Sequence, residues 1–208
     1  MENIHSPFFV VPEFLSPLLC EEIVDSLKLT VPEYDKDDNP LASFRHHDVS
    51  EEAIYERIVP LIPEIEKHYN IEYHSSERVR FEWFPDGCSG EKLHCENSNY
   101  VRKKWLRVRN RDLSVVIALC DFQSTIPFDG DFEVYGGKLE FPQHRFGLNP
   151  QRGTLIIFPS GPHFINCTTE ILAGDLYRAR FHIAAQKPFL YNPTDFPGNF
   201  TSWLREFA

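Results

Sequence analysis

From Glu77 onward the chain is written in strands. Val79, Phe81 and Trp83 alternate with Arg78, Arg80 and Glu82, a period of two that buries one face of a sheet. Residues 113–120 and 153–158 are apolar and rich in β-branched side chains, as core strands are. Gly136-Gly137-Lys138-Leu139-Glu140-Phe141 resumes strand after a tight turn, and residues 164–171 and 177–184 add two more. Six or more short strands at close spacing narrow the architecture to a barrel or jelly roll.

A helical preface precedes these strands. Residues 7–15 read as a short strand bounded by prolines. Ser16-Pro17 then opens a helix, since Ser caps well and Pro is tolerated in the first turn. Leu19, Ile23 and Leu27 give it one apolar face. Residues 31–48 are polar and broken by Pro, which predicts a loop over a site or a mobile one. A second helix runs from a Ser50 cap, with Ile54, Ile58, Leu61 and Ile65 on one face and Pro60 and Pro63 bending or splitting it. The expected layout is one domain: 1–76 preface, 77–187 barrel, and a tail at 188–208 with a short helix over 202–207.

Composition fits this frame. Of 208 residues, 42% are hydrophobic and 14% aromatic, enough for one large core. Five cysteines without CxxC spacing predict reduced thiols, and the opening residues lack a basic, apolar leader, so the expected compartment is the cytoplasm. No apolar run approaches the ~20 residues that cross a bilayer. The net charge of −10 argues against non-specific nucleic-acid binding. One local exception is the basic run Arg102, Lys103, Lys104, Arg107, Arg109 and Arg111, either a solvated hairpin arm or a contact strip for an anionic substrate.

Leu93-His94-Cys95-Glu96-Asn97 carries the chemistry. Side chains at i and i+2 of a strand point the same way, so His94 and Glu96 aim at one point, and a metal ion is the usual reason for such convergence. His46-His47-Asp48 is a weaker candidate, because adjacent histidines on a strand point apart; a surface role is expected.

His94-x-Glu96, the Gly136–Phe141 stretch, Gly153-x-Leu155-x-x-Phe158-Pro159-Ser160, and Gly174 before an Arg-bearing strand resemble, in that order, the non-haem Fe(II)/2-oxoglutarate-dependent oxygenases. The nearest branch is the prolyl-4-hydroxylase-like group, which Phe14-Leu15-Ser16-Pro17 also resembles, so the similarity spans roughly residues 8–185. The resemblance implies an α+β fold: a double-stranded β-helix (jelly-roll) barrel with N-terminal helices packed on it. It implies Fe(II) held by two histidines and a carboxylate, with 2-oxoglutarate as co-substrate and O₂ as oxidant. His94 and Glu96 match the first two ligands. The family's second histidine precedes the glycine by eight residues, and that count lands on Asn166. The alternatives are His163 through a register offset, a metal-free relative, or His182. Arg178 and Arg180 match the basic residue that pairs with 2-oxoglutarate, and Tyr100 is a neighbour by sequence. The implied function is dioxygenase hydroxylation of a prolyl or other peptidyl side chain first, with a nucleobase or a small molecule left open. The rivals are a jelly-roll binding module without catalysis and a cupin-like metal enzyme without 2-oxoglutarate.

Overall fold

The structure, a computed structural model, describes residues 6–31, 33–34, 43–123 and 133–199. Strand β1 (Phe9–Val11) leads into α1 (Pro17–Lys28), where the Ser16 hydroxyl accepts from the Leu19 N–H at 3.2 Å, as its capping role requires. After β2 (Glu33–Tyr34) and β3 (Ser43–Arg45) comes α2 (Asp48–Ile58). The expected loop over 31–48 therefore carries strand at both ends, and its centre lies outside the described residues.

The α2 cap is His47 rather than Ser50. Its Nδ1 accepts from the Ser50 N–H at 3.3 Å, because a ring nitrogen in an extended residue can serve an orphan helix N–H as a hydroxyl does. Its neighbour His46 donates Nδ1–H to the Val79 carbonyl at 2.8 Å, so the histidine pair is structural. A 3₁₀ turn at Val59–Leu61 separates α2 from α3 (Ile62–Tyr69), where Pro60 and Pro63 interrupt the backbone ladder.

The rest is mostly sheet: β4 (Tyr73–Ser76), β5 (Arg80–Phe84), β6 (Ser98–Val101), β7 (Lys104–Arg107), β8 (Leu113–Ala118), β9 (Asp121–Phe122) and β10 (Glu133–Gly136). Then follow β11 (Leu139–Phe141), β12 (Phe146–Leu148), β13 (Leu155–Pro159), β14 (Cys167–Thr168), β15 (Ile171–Gly174) and β16 (Leu176–Ala185). The main sheet has eight strands in the order β1-β13-β8-β16-β5-β3-β2, with β4 on the end of β16. Two three-stranded sheets, β15-β10-β9 and β12-β11-β14, and the β6-β7 hairpin are separate. This is α+β, and no hydrogen-bonded closure into a barrel is found among the described strands.

Hydrophobic clusters lie on both faces of the main sheet. On one face Ala179, Phe181 and Ile183 of β16 pack with Ile23, Val24 and Leu27 of α1 and Ile54, Ile58 and Ile65 of the following helices. On the other, Val116, Ile156 and Phe158 pack against Phe141, Phe146 and Leu148 of the smaller sheet. Each such side chain contributes roughly 1.5–3 kcal/mol by leaving water. The expected strand over 164–171 is instead a 3₁₀ turn (Pro162–Phe164) followed by the short β14, and residues 200–208, with the expected terminal helix, lie outside the described residues. No described helix is long and apolar enough to cross a membrane.

Candidate metal centre and co-substrate pocket

Strand alternation on β16 sends Ala179, Phe181 and Ile183 to the helix side and Arg178, Arg180 and His182 to the other. All three polar residues are buried. The segment carrying His94 runs antiparallel to residues 166–171. The His94 N–H donates to the Asn166 carbonyl at 3.0 Å and the Asn166 N–H returns to His94 at 3.1 Å. Glu91 N–H donates to the Thr168 carbonyl at 2.9 Å. Gly90 allows this approach: its φ is +78°, and a Cβ there would lie 2.1 Å from the Thr168 carbonyl oxygen.

His94 and Glu96 converge as their spacing predicts, with Nε2 to Oε1 at 2.9 Å. Outside regular strand, the bridge to Asn166 and the His94 Nδ1–H donated to the Lys92 carbonyl at 2.8 Å fix the imidazole. His182 Nε2 meets the other Glu96 oxygen at 3.0 Å, while its Nδ1 meets Glu77 Oε2 at 3.0 Å. Arg180 Nη1 lies 3.3 Å from Glu96 Oε1 and 3.5 Å from His94 Nε2. Glu96 is thus the hub of the cluster.

The electrostatics follow from that geometry. Burial would raise the Glu96 carboxyl, but the Arg180 charge and hydrogen bonds from His182 and His94 hold it well below the carboxylate range. Burial would likewise depress His94, but the hydrogen bond and charge of Glu96 win and raise it. Glu91 is held down in the same way by Arg178, Arg180 and His94 against its burial.

The two candidate arginines are already engaged. Arg178 donates to Glu82 at 2.5 Å, to Thr168 Oγ1 at 2.7 Å, and to Glu91. Arg180 pairs with Glu91 at 2.7 Å, with Glu96, and with Glu82 at 3.4 Å. Three carboxylates therefore serve two guanidiniums. Glu82 belongs to the charged face of β5 that alternation alone assigns to solvent. In register, it lies opposite Arg178 and is buried. A strand neighbour of an Arg-bearing core strand was the available signal. Glu91 and Glu77 gave none, since each reaches the cluster from a loop or a strand end.

His163 is not brought to this point. It sits exposed in the 3₁₀ turn, its ring 5.2 Å from Tyr191, and it does not line the cavity. The register of the 166–174 segment places Asn166 opposite His94, and no offset brings His163 inward. Tyr100 does not line the cavity either: it is exposed on the β6-β7 hairpin, 5.1 Å from the Trp105 ring.

The cavity has a volume of about 340 Å³ and is walled by Arg80, Glu82, His94, Glu96, Arg180 and His182, among others. Among the described residues no group of three His, Cys, Asp or Glu is arranged to hold a metal ion. His94 and Glu96 supply an imidazole and a carboxylate. Opposite residues of an antiparallel pair project to one face, so Asn166 shares the face of His94. Its Oδ1 is buried without a hydrogen-bond partner, and Asn166 does not line the cavity. His94, Glu96 and Asn166 together are one imidazole short of two histidines and a carboxylate; His182, the remaining histidine alternative, lines the cavity with its Nε2 on Glu96 Oε2, and an ion there would share Glu96 with Arg180.

Solved structures with the same architecture decide the fold. A viral collagen prolyl hydroxylase from Paramecium Bursaria Chlorella virus-1, in complex with 2-oxoglutarate, superposes with a TM-score of 0.62 at 15% identity, over 86% of this chain and 97% of that one. The chain has a prolyl-4-hydroxylase-like fold. A Trichoplax adhaerens prolyl hydroxylase in complex with a hypoxia inducible factor peptide fragment gives 0.60 at 11%, covering 86% and 84%. HygX from Streptomyces hygroscopicus, with nickel and 2-oxoglutarate bound, gives 0.57 at 12%, covering 94% and 91%. No protein-family model and no curated protein matches by sequence. On this prolyl-hydroxylase-like frame, His94 and Asn166 face each other, and Arg178 and Arg180 lie on the long strand β16.

Proposed function

We propose that the chain is a 2-oxoglutarate-dependent dioxygenase of the prolyl-hydroxylase kind, built on a double-stranded β-helix and acting on a peptidyl side chain. The observation that carries this reading is the His94–Glu96 pair, 2.9 Å apart and opposite the unpartnered Asn166 oxygen, in a fold shared with prolyl hydroxylases. His94, Glu96 and Asn166 would hold Fe(II). Iron and 2-oxoglutarate, when bound with O₂, supply the oxidising chemistry. The chain's own part is placement. Lys92 fixes the His94 ring by accepting its Nδ1–H, the support that ligand histidines use. Glu77 and Arg111 border the cluster on the far side of His182 and Glu96. The substrate class rests on the peptide complex of the Trichoplax neighbour.

One set of contacts favours a second reading, a binding module without catalysis. Arg180 already neutralises Glu96, and Glu82 and Glu91 already occupy both arginines. Titration with Fe(II) followed by 2-oxoglutarate turnover separates the two. Iron-dependent succinate formation that disappears in Glu96→Ala supports the enzyme. Absence of iron binding by the wild-type chain supports the module.

A further inference from the structure

The cavity holds four guanidiniums: Arg80, Arg109, Arg111 and Arg180. Arg111 is paired with Glu77 and Glu96, and Arg180 with Glu82, Glu91 and Glu96. Among the described residues Arg80 and Arg109 have no carboxylate partner. Arg80 is the better placed of the two. It lies directly opposite Arg180 across the β5-β16 ladder, so their side chains share a face. Arg180 in turn touches both His94 and Glu96. The Arg80 guanidinium stacks over the Phe44 ring at 4.0 Å, which holds it without cancelling its charge. Its Nε is buried with no hydrogen-bond partner, as is the Nε of Arg180, so what sets Arg80 apart is the lack of a carboxylate. A buried donor without an acceptor is costly, and a planar fork of donors suits a carboxylate.

We propose that Arg80, and not Arg178 or Arg180, receives the free carboxylate of a dicarboxylate bound in this cavity, with Arg109 at the mouth as the second cation. This rests on the 2-oxoglutarate reading above and deepens it. A dianion directed at Arg178 or Arg180 would meet Glu82, Glu91 and Glu96 as well, three negative charges already in place. At Arg80 it meets a guanidinium that no described carboxylate already neutralises.

The test is calorimetric titration of the full chain with 2-oxoglutarate, alone and with Mn(II), in the wild type, Arg80→Leu and Arg80→Lys. Circular dichroism checks that each variant is folded. Arg80→Leu is expected to weaken 2-oxoglutarate binding by at least about tenfold and Arg80→Lys to recover part of it. Mn(II) affinity measured by electron paramagnetic resonance is expected to stay the same in both. Unchanged 2-oxoglutarate affinity in folded Arg80→Leu overturns the assignment and leaves the dioxygenase reading standing. Arg80-dependent binding of 2-oxoglutarate by a chain that takes no Mn(II) keeps the assignment and removes the dioxygenase reading. A wild-type chain that binds neither removes both.

Discussion

Asn166 and His94 face each other across two reciprocal backbone hydrogen bonds, 3.0 and 3.1 Å long. Their side chains therefore share a face, and the amide oxygen of Asn166 is buried there without a partner. Replacing this amide with an imidazole should complete a set of two histidines and a carboxylate. Asn166→His is expected to tighten Mn(II) binding by about tenfold or more, or about 1.4 kcal/mol. Paramagnetic titration measures it, and an affinity equal to that of the wild type would show that residue 166 does not face the ion.

His163 makes the complementary prediction. It lies exposed against Tyr191, away from the cavity. His163→Ala is expected to leave divalent-ion affinity as it is and to change stability by no more than about 0.5 kcal/mol. A large loss of metal binding in this variant would restore His163 as a ligand.

Arg178 is buried between Glu82 and Glu91, with Thr168 as its third partner. Arg178→Leu leaves these carboxylates short of one cation in a dry setting. Breaking a buried pair from one side costs about 3–5 kcal/mol. Urea denaturation should show a loss of that order. A cost near zero would mean that Arg178 is not needed to balance them, and would return it to the pool of free co-substrate cations.

The pH dependence of stability has a sign that follows from Glu77. Burial alone would raise its carboxyl, but His182 and Arg111 lower it from 4.5 to about 2. A depressed carboxyl stabilises the fold fully above its ordinary value and loses that contribution as pH falls through the depressed one. The melting-temperature gap between wild type and Glu77→Gln should therefore be widest above pH 4.5 and close as pH falls towards 2. A gap that stays constant across this range contradicts the ion pair.

The fold was legible where pattern and burial agree. Alternation in β5, the apolar runs of β8 and β13, and the Ser16 cap all follow from local rules that the tertiary structure does not override. The α2 start was not, because a histidine ring can cap as well as a serine. The site was half legible. Spacing places His94 beside Glu96, whereas the family count from Gly174 only marks Asn166 as the position that lacks a histidine, and strand pairing sets it opposite His94. The charge cluster was hidden, since Glu82 reads as solvent-facing until β16 is laid beside β5 and brings Arg178 opposite it. Which arginine is free is a property of pairing across strands, and no single strand records it.

Whether His94 and Glu96 form a divalent-ion centre is decided by paramagnetic titration of the full chain with Mn(II). One bound ion per wild-type chain is expected, and loss of that ion in both His94→Ala and Glu96→Ala. No bound ion in the wild type, or an ion retained in both variants, would contradict it.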